Sequence, residues 1–174
     1  MAWSHPPRVH QDRGPGAMSC VPDVYYSSYM PYMWADTLES LERFHLLRLS
    51  AWAAASMLAG TGLLAWLRAG ERHSPLLRQF AIQSAAWGVV DAVIAAFAWH
   101  GIAPRDVASA TRLDRILWLN IGLDAGYVLV GITMGVIAWR LGRRLGLLGA
   151  GIGVVVQGGA LVVLDLMLAA HISR

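Results

Sequence analysis

The chain has 174 residues, of which 56% are hydrophobic and 14% are charged, and its mean hydropathy is +0.48. These values lie outside the range of ordinary water-soluble domains and indicate an integral membrane protein. All 14 basic residues are arginines, and most flank apolar runs, so the positive charge reflects membrane flanking and no nucleic-acid partner is expected. The single cysteine, Cys20, excludes an internal disulfide and a site built from several thiolates.

The first 35 residues differ in composition from the rest of the chain. They contain several prolines and a cluster of tyrosines without helical period, and they hold no secretory signal. We therefore predict an irregular or disordered leader over 1–35, in which Met18, Met30 and Met33 are alternative starts. No function is assigned to this leader.

Four apolar runs follow the leader. Each run exceeds the ~20 residues that a helix needs to cross a bilayer. The sequence therefore predicts an all-α membrane protein in which residues 36–174 form a domain of four transmembrane helices. The spans are expected at about 46–67, 76–100, 113–139 and 145–171.

Local signals predict where these helices begin and end. Asp36 has the capping-box spacing to Glu39 and predicts the start of the first helix. Ser74-Pro75 supplies an N-cap and a proline at the first helical position of the second. Thr111, three residues before an aspartate, is the predicted cap of the third helix. A tight turn over 140–144 returns the chain through the fourth.

An even number of spans places both ends of the domain on one side of the membrane, and flanking arginines should indicate which side. The count is balanced at six against six. Loops one and three hold Arg68, Arg72, Arg78, Arg140, Arg143 and Arg144, and the opposite face holds Arg43, Arg48, Arg105, Arg112, Arg115 and Arg174. The three arginines in the turn at 140–144 favour a cytoplasmic position for loops one and three. The expected location is a bacterial inner membrane.

Two segments of the chain are similar to each other. Residues 83–97 align without gaps on residues 157–171, and six of the fifteen positions are identical. The shared Gln-x7-Asp spacing carries most weight because glutamine is rare in this chain. We interpret the chain as two tandem helical hairpins related by a parallel internal repeat. Chance similarity between two apolar hairpins is the alternative.

Three aspartates, Asp91, Asp124 and Asp165, interrupt three of the apolar runs. A carboxylate at bilayer depth costs several kcal/mol unless it is neutralised or paired. With a rise of ~1.5 Å per residue, all three map to one depth, which we call the aspartate layer. This pattern predicts a site for protons, a cation or a ligand. The expected hydrogen-bonding partners of the aspartates are Asn120, Gln83, Gln157 and Tyr127.

The third span is expected to be the central helix. Asn120, Asp124, Tyr127 and Gly131 recur on a single stripe, and Gly122-x3-Gly126 brackets Asp124. Small residues at this spacing allow helix backbones to approach closely in a membrane. The first span has no polar residues at the matching positions.

Three functions remain open on these residues. The first is proton- or cation-linked transport or conduction by a homo-oligomer, because four spans leave little room for a pathway. The second is an accessory or scaffold subunit of another membrane protein, with the polar residues holding helices together. The third uses His45, His100 and His171, which map near one face, to bind a metal or haem. No motif supports catalysis, and otherwise no cofactor is expected.

The Gln-x7-Asp of the second and fourth spans and the Asn120-x3-Asp124-x2-Tyr127 of the third resemble uncharacterised four-helix bacterial membrane proteins of unknown function. The resemblance covers about residues 36–174 and implies the four-span fold without an activity. Small multidrug transporters are similar only in span count, since their essential carboxylate lies in the first span, where this chain has none.

Overall fold

The computed structural model describes the backbone of residues 23–103 and 105–172, with side chains from residue 36 onward. The chain divides into two units, Met1–Trp34 and Ala35–Arg174. The described chain forms four helices: α1 (Asp23–Ala69), α2 (Pro75–His100), α3 (Val107–Arg140) and α4 (Leu145–Ile172).

All four helices are long and apolar enough to cross a membrane. The stretches concerned are Asp36–Ala69, Pro75–His100, Val107–Arg140 and Leu145–Ile172. The predicted all-α architecture with four membrane spans is therefore confirmed. We call the end of the bundle with loops 70–74 and 141–144 the hairpin end, and the end with the α2–α3 connection the connection end.

Helix α1 begins at Asp23, upstream of the predicted start at Asp36. The capping-box prediction is wrong, because Asp36 lies inside a continuous helix instead of at a boundary. A capping pattern marks a start only where the chain before it leaves the helical conformation. Residues 23–35 are thus helical, and the leader prediction for residues 1–22 lies outside the described residues.

The start of α2 matches its sequence signals. The Ser74 hydroxyl accepts a hydrogen bond from the Leu77 amide at 3.3 Å, and Pro75 occupies the first helical position. The helix ends at His100, and the Gly101 amide donates to the Ala98 carbonyl at 3.0 Å. The predicted N-cap and helix end are therefore both confirmed.

Helix α3 begins earlier than Thr111, the predicted cap. Its N-cap is Asp106, whose carboxylate accepts hydrogen bonds from the Ser109 amide at 2.8 Å and the Ser109 hydroxyl at 2.6 Å. These bonds hold the pKa of Asp106 below its usual value. Thr111 lies in the first turns and donates to the Val107 carbonyl at 2.9 Å. An aspartate was available before Thr111, and a carboxylate is a stronger cap acceptor.

The turn between α3 and α4 has the expected tight geometry. Gly142 and Arg143 adopt left-handed conformations, with φ of 75° and 58°. The Arg144 amide donates to the Ala138 carbonyl at 3.0 Å, which closes the end of α3. Glycine adopts this region without steric cost, whereas arginine does not, so the turn concentrates backbone strain at one position.

Helix α4, and not α3 as predicted, is the central helix. It contacts α2 where Gly149 faces Leu76, α3 where Gly151 faces Gly131, and α1 where Ser56 bonds to a glutamine of α4. Its sequence explains this position, since glycine and alanine are distributed around the helix and leave several faces that other backbones can approach. The prediction of α3 as the central helix rested on the glycine spacing along one stripe of α3.

Helix α3 packs through one narrow seam. Its buried residues recur at every seventh position: Ala110, Leu117, Asp124, Gly131 and Ala138. Gly122 and Gly126 lie off this seam, and a Cβ added at either would meet no atom within 4 Å. The prediction that these two glycines mediate packing within the bundle is therefore wrong.

The two hairpins cross through glycines, as tandem units would. Gly60 and Gly88 bring α1 and α2 together, and Gly131 and Gly151 do the same for α3 and α4. These contacts alone do not establish common ancestry of the hairpins, and the internal repeat stays a prediction.

Candidate functional site

The three aspartates lie in the interior of the bundle. Asp91 on α2 is 1% exposed, and Asp124 on α3 and Asp165 on α4 are each 8% exposed. Asp124 lies between the other two in electrostatic terms, because it interacts with both Asp91 and Asp165. Three helices therefore place a buried carboxyl group in the interior of one bundle, and the Asp124 carboxyl group is close enough to the other two to interact with them electrostatically. Their common depth in the membrane stays a prediction.

Asp91 is the most deeply buried member of this cluster. It lies on the α2 seam that faces the other helices, and its Oδ2 atom has no hydrogen-bond partner among the described residues. No arginine or histidine of the described chain forms an ion pair with it. Burying a polar group without a partner costs free energy, more so when the group carries charge. Packing alone does not account for an aspartate here.

Asp165 has a partner that the sequence did not predict. Its Oδ1 atom lies 3.3 Å from Nε2 of His45, and the two side chains are only 11% and 12% exposed. His45 belongs to α1, so the first span does contribute a polar group to the site. The sequence predicts His45 only as part of a metal or haem site.

Ser56 is the second polar residue that α1 contributes, and it contacts Gln157 of α4. The Gln157 side chain is 2% exposed, and its Oε1 accepts a hydrogen bond from the Ser56 hydroxyl at 3.3 Å. The Nε2 donor has no partner among the described residues. Gln83, the matching residue of α2, is partly buried against Gly153 and has no hydrogen bond to the aspartates. The structure therefore brings one predicted glutamine of the two into the site.

A narrow crevice, which leaves no room for a water molecule, lies beside the cluster. Asp124 and Gln157 contribute its polar lining. The rings of Trp87 on α2 and Tyr127 on α3 meet edge to face, with centroids 5.1 Å apart. Tyr127 is 41% exposed, so this aromatic pair separates the crevice from the bundle surface. Tyr127 and Asp124 both line this crevice, but within the described residues Tyr127 does not form the predicted hydrogen bond to the aspartates.

Asn120 lies outside the site. It is exposed, whereas Asp124, one turn further along α3, is buried. The reason is the seven-residue period of the α3 seam, which includes Asp124 and Gly131 but leaves Asn120 off it. The i, i+4 spacing places Asn120 and Asp124 on one stripe of α3. The spacing does not show which edge of that stripe faces α4.

A second cavity connects His45 with the surface at the connection end. It has a volume of about 190 Å³, and its lining includes His45, Arg48, Met167 and His171. The His171 ring nitrogen Nδ1 is 2.6 Å from the Met167 carbonyl oxygen. His45 therefore contacts the buried Asp165 and also lines a cavity at the connection end.

The predicted three-histidine site is not assembled. His45 and His171 line the same cavity, but His100 is exposed and does not line it. Within residues 36–103 and 105–172, no group of three histidine, cysteine, aspartate or glutamate side chains is arranged to hold a metal ion. The structure gives no support to a metal or haem ligand set built from these histidines.

A buried ion pair completes the polar features at the connection end. Glu42 of α1 is 6% exposed, and its two oxygens accept hydrogen bonds of 2.8 Å and 2.5 Å from Arg105. This carboxylate raises the pKa of Arg105 above its ordinary value. Sequence reasoning missed the pair because the two residues are far apart in the chain. The sequence indicates only that Glu42 and Arg105 lie at a similar depth near one face of the membrane. His45 and Asp165 lie near the same face, so depth alone does not identify the partners.

Fold and site together define a multi-pass membrane protein with a buried carboxylate and carboxamide cluster. The chain belongs to a family of unknown function, DUF6992, whose model matches residues 48–166. This match covers the second and third spans completely, covers the first and fourth in part, and includes the three aspartates. No curated protein and no solved structure matches the chain.

Proposed function

We propose that the aspartate layer exchanges protons or a small cation, and that the protein conducts or transports a small solute in linkage with this exchange. The observation that carries the proposal is Asp91, a carboxyl group that is 1% exposed and lacks a hydrogen-bond partner on Oδ2. Serine or threonine would hold helices together at lower cost, and intramembrane carboxylates commonly mark ion pathways.

The arrangement of groups supports a route to the connection end. Asp124 interacts with Asp91 and with Asp165, and Asp165 contacts His45 at 3.3 Å. Histidine can pass a proton between its two ring nitrogens, and His45 lines a cavity at that end. A proton on Asp91 would reach the surface through successive side chains of one cluster.

The Trp87–Tyr127 pair supports a second point of access. The crevice behind this pair is lined by Asp124 and Gln157 and is too narrow for a water molecule while the rings stay in place. Opening it would expose the unpartnered Nε2 donor of Gln157. A rotation of either ring would open the crevice between α2 and α3. Access from two places is what alternating exposure of a site requires.

Assembly and location belong to the same proposal. Four spans alone leave little room for a solute pathway, so we propose a homo-oligomer, in a bacterial inner membrane. The apolar outer faces of the helices fit contact with membrane lipid.

Proton flux in liposomes tests this function. Protein reconstituted with an internal pH-sensitive dye should carry protons when a potassium diffusion potential is imposed. We expect Asp91→Asn to reduce the flux to the level of empty liposomes, because the amide cannot release a proton. Asp124→Asn and Asp165→Asn should reduce it as well.

Asp106→Asn is the matched control for these variants. It makes the same chemical change outside the spans, and asparagine is also a good N-cap, so α3 should keep its start. Flux equal to wild type in this control is expected. Wild-type flux in Asp91→Asn would contradict a role for this carboxyl group.

One observation favours a second candidate, an accessory or scaffold subunit. The Gly122-x3-Gly126 pair of α3 faces open space, and such a spacing suits the close approach of a further helix. Gly122→Leu would then abolish copurification with a larger membrane complex while leaving the protein folded. Retention of every copurifying protein in Gly122→Leu would exclude this docking face.

A further inference from the structure

A large cavity lies at the hairpin end, away from the aspartate layer. It has a volume of about 720 Å³ and is formed by the end of α1, loop 70–74, the start of α2 and Gly146 of α4. Its polar lining is dominated by three arginines, Arg68, Arg72 and Arg78. The proposed proton route uses none of these residues.

The cavity has a net positive charge. Glu71 is the only carboxylate in its lining, and none of the three arginines forms a salt bridge within the described parts of the chain. The Arg72 guanidinium lies 4.0 Å from the centroid of the Trp66 ring, which restricts its position. Helix α2 also begins here without an acidic residue in its first turn, so its positive dipole end adds to the potential.

The deeper wall of the cavity is apolar. Leu64 and Leu67 of α1 and Ile82 of α2 line it, and Ile82 is 37% exposed on the flank of the bundle. A cavity that is basic at the end of a span and apolar below matches a molecule with an anionic head and a hydrocarbon body. Arginine forms bidentate, charge-assisted hydrogen bonds to phosphate.

We propose that this cavity binds the phosphate headgroup of an anionic phospholipid. Arg68, Arg72 and Arg78 contact the phosphate oxygens, and the first part of an acyl chain lies along the wall formed by Leu64 and Ile82. Free phosphate shares the headgroup chemistry but cannot use the apolar wall. The occupant is therefore a lipid, and the site is independent of proton exchange at the aspartates.

Lipid-dependent thermal stability of the purified full chain tests this inference. Protein in neutral detergent is titrated separately with phosphatidylglycerol, phosphatidylcholine and inorganic phosphate, and the unfolding midpoint is followed. A ligand that binds only the folded state raises the midpoint. Phosphatidylglycerol should raise it at concentrations where the other two do not. An equal rise with phosphatidylcholine would overturn the anion site, and an equal rise with inorganic phosphate would overturn the lipid as occupant.

Arginine variants locate the effect. Arg78→Gln and Arg72→Gln should each raise the phosphatidylglycerol concentration needed for half the shift by about tenfold, as expected for the loss of a charge-assisted hydrogen bond. Arg143→Gln is the matched control, because Arg143 stacks on Trp139 at 4.6 Å at the same end of the bundle but outside the cavity.

The control variant should respond like wild type. A loss in Arg143→Gln as large as in Arg72→Gln would show general attraction to a basic surface and overturn the site. Native mass spectrometry provides a readout that does not depend on variants, since wild type should retain one phosphatidylglycerol in preference to phosphatidylcholine. Equal retention of both lipids would contradict the proposal.

Discussion

Gly149→Ala is expected to lower the free energy of unfolding by about 3 kcal/mol, because overpacking a close helix contact costs this much. A Cβ at this position would overlap the carbonyl oxygen of Leu76, which is backbone and cannot move aside without shifting α2 against α4. The effect should be among the largest of any single methyl addition, since α4 is the helix on which the others pack. Thermal denaturation of the purified protein in detergent measures it.

Gly122→Ala is the control for this prediction. The same methyl group would meet no atom within 4 Å at this position of α3, so the unfolding midpoint should be unchanged or slightly raised. Alanine also has the higher helix propensity. If Gly149→Ala were as stable as Gly122→Ala, the central position of α4 would be refuted.

Glu42→Gln should have the second large effect on stability, a loss of about 3 kcal/mol, at the lower end of the ~3–5 kcal/mol that is typical when one member of a buried ion pair is removed. The glutamine leaves the Arg105 guanidinium without its carboxylate partner at a site that is only 20% exposed. Two hydrogen bonds across 63 residues of chain are weakened at once, and they join α1 to the α2–α3 connection.

Glu39→Gln provides the matched comparison one turn earlier on α1. Glu39 pairs with Arg43 at 2.7 Å, but the arginine is 55% exposed, and exposed pairs of this kind contribute about 0–1 kcal/mol. Guanidine or thermal unfolding of the two variants should therefore differ clearly. Equal stability of Glu39→Gln and Glu42→Gln would mean that burial adds nothing to the Arg105 pair.

The pH dependence of the Glu42–Arg105 pair has a definite sign. The folded pKa of Arg105 is raised, so its contribution to stability is present below the unfolded arginine value and is lost only as pH rises through the folded value. Both values lie far above neutral pH. The difference between wild type and Glu42→Gln should consequently stay constant from neutral into moderately alkaline solution.

Local sequence features predicted the elements of this fold well. Apolar length determined the four spans, Ser74-Pro75 determined the start of α2, and the glycine and arginines at 140–144 determined the last turn. The cap and turn signals act through the backbone within a few residues, and the span signal is the summed hydropathy of ~20 residues. The starts of α1 and α3 were misplaced because a competing helical segment or an earlier cap, Asp106, lay upstream.

The arrangement of the helices could not be read in the same way. Which helix is central depends on how α4 accommodates three neighbours, and a single sequence does not say which glycines meet a partner. Gly151 meets Gly131 closely, whereas Gly126 meets nothing. The rotation of α3 about its axis was likewise not given by the sequence. For this reason Asn120 was predicted in the site, although it is exposed.

The aspartates of the candidate site could be predicted from the free-energy cost of burying a carboxyl group in an apolar helix. Asp91, Asp124 and Asp165 cluster because an apolar environment leaves carboxyl groups few alternatives. The partners from α1, His45 and Ser56, were not predictable, because their contacts depend on the rotation and depth of one helix against another. The sequence of a long helix does not show which neighbouring helix a histidine or serine in it contacts.

The central claim is that Asp91 is retained at a cost to the fold, and the unfolding midpoint of Asp91→Asn in detergent, measured beside wild type, tests it most directly. Asparagine has nearly the same size and carries no charge, so relief of the buried, unpartnered carboxyl group should leave the midpoint unchanged or raised. A fall of several degrees would mean that the Asp91 carboxyl group stabilises the bundle, and it would contradict a site maintained for function.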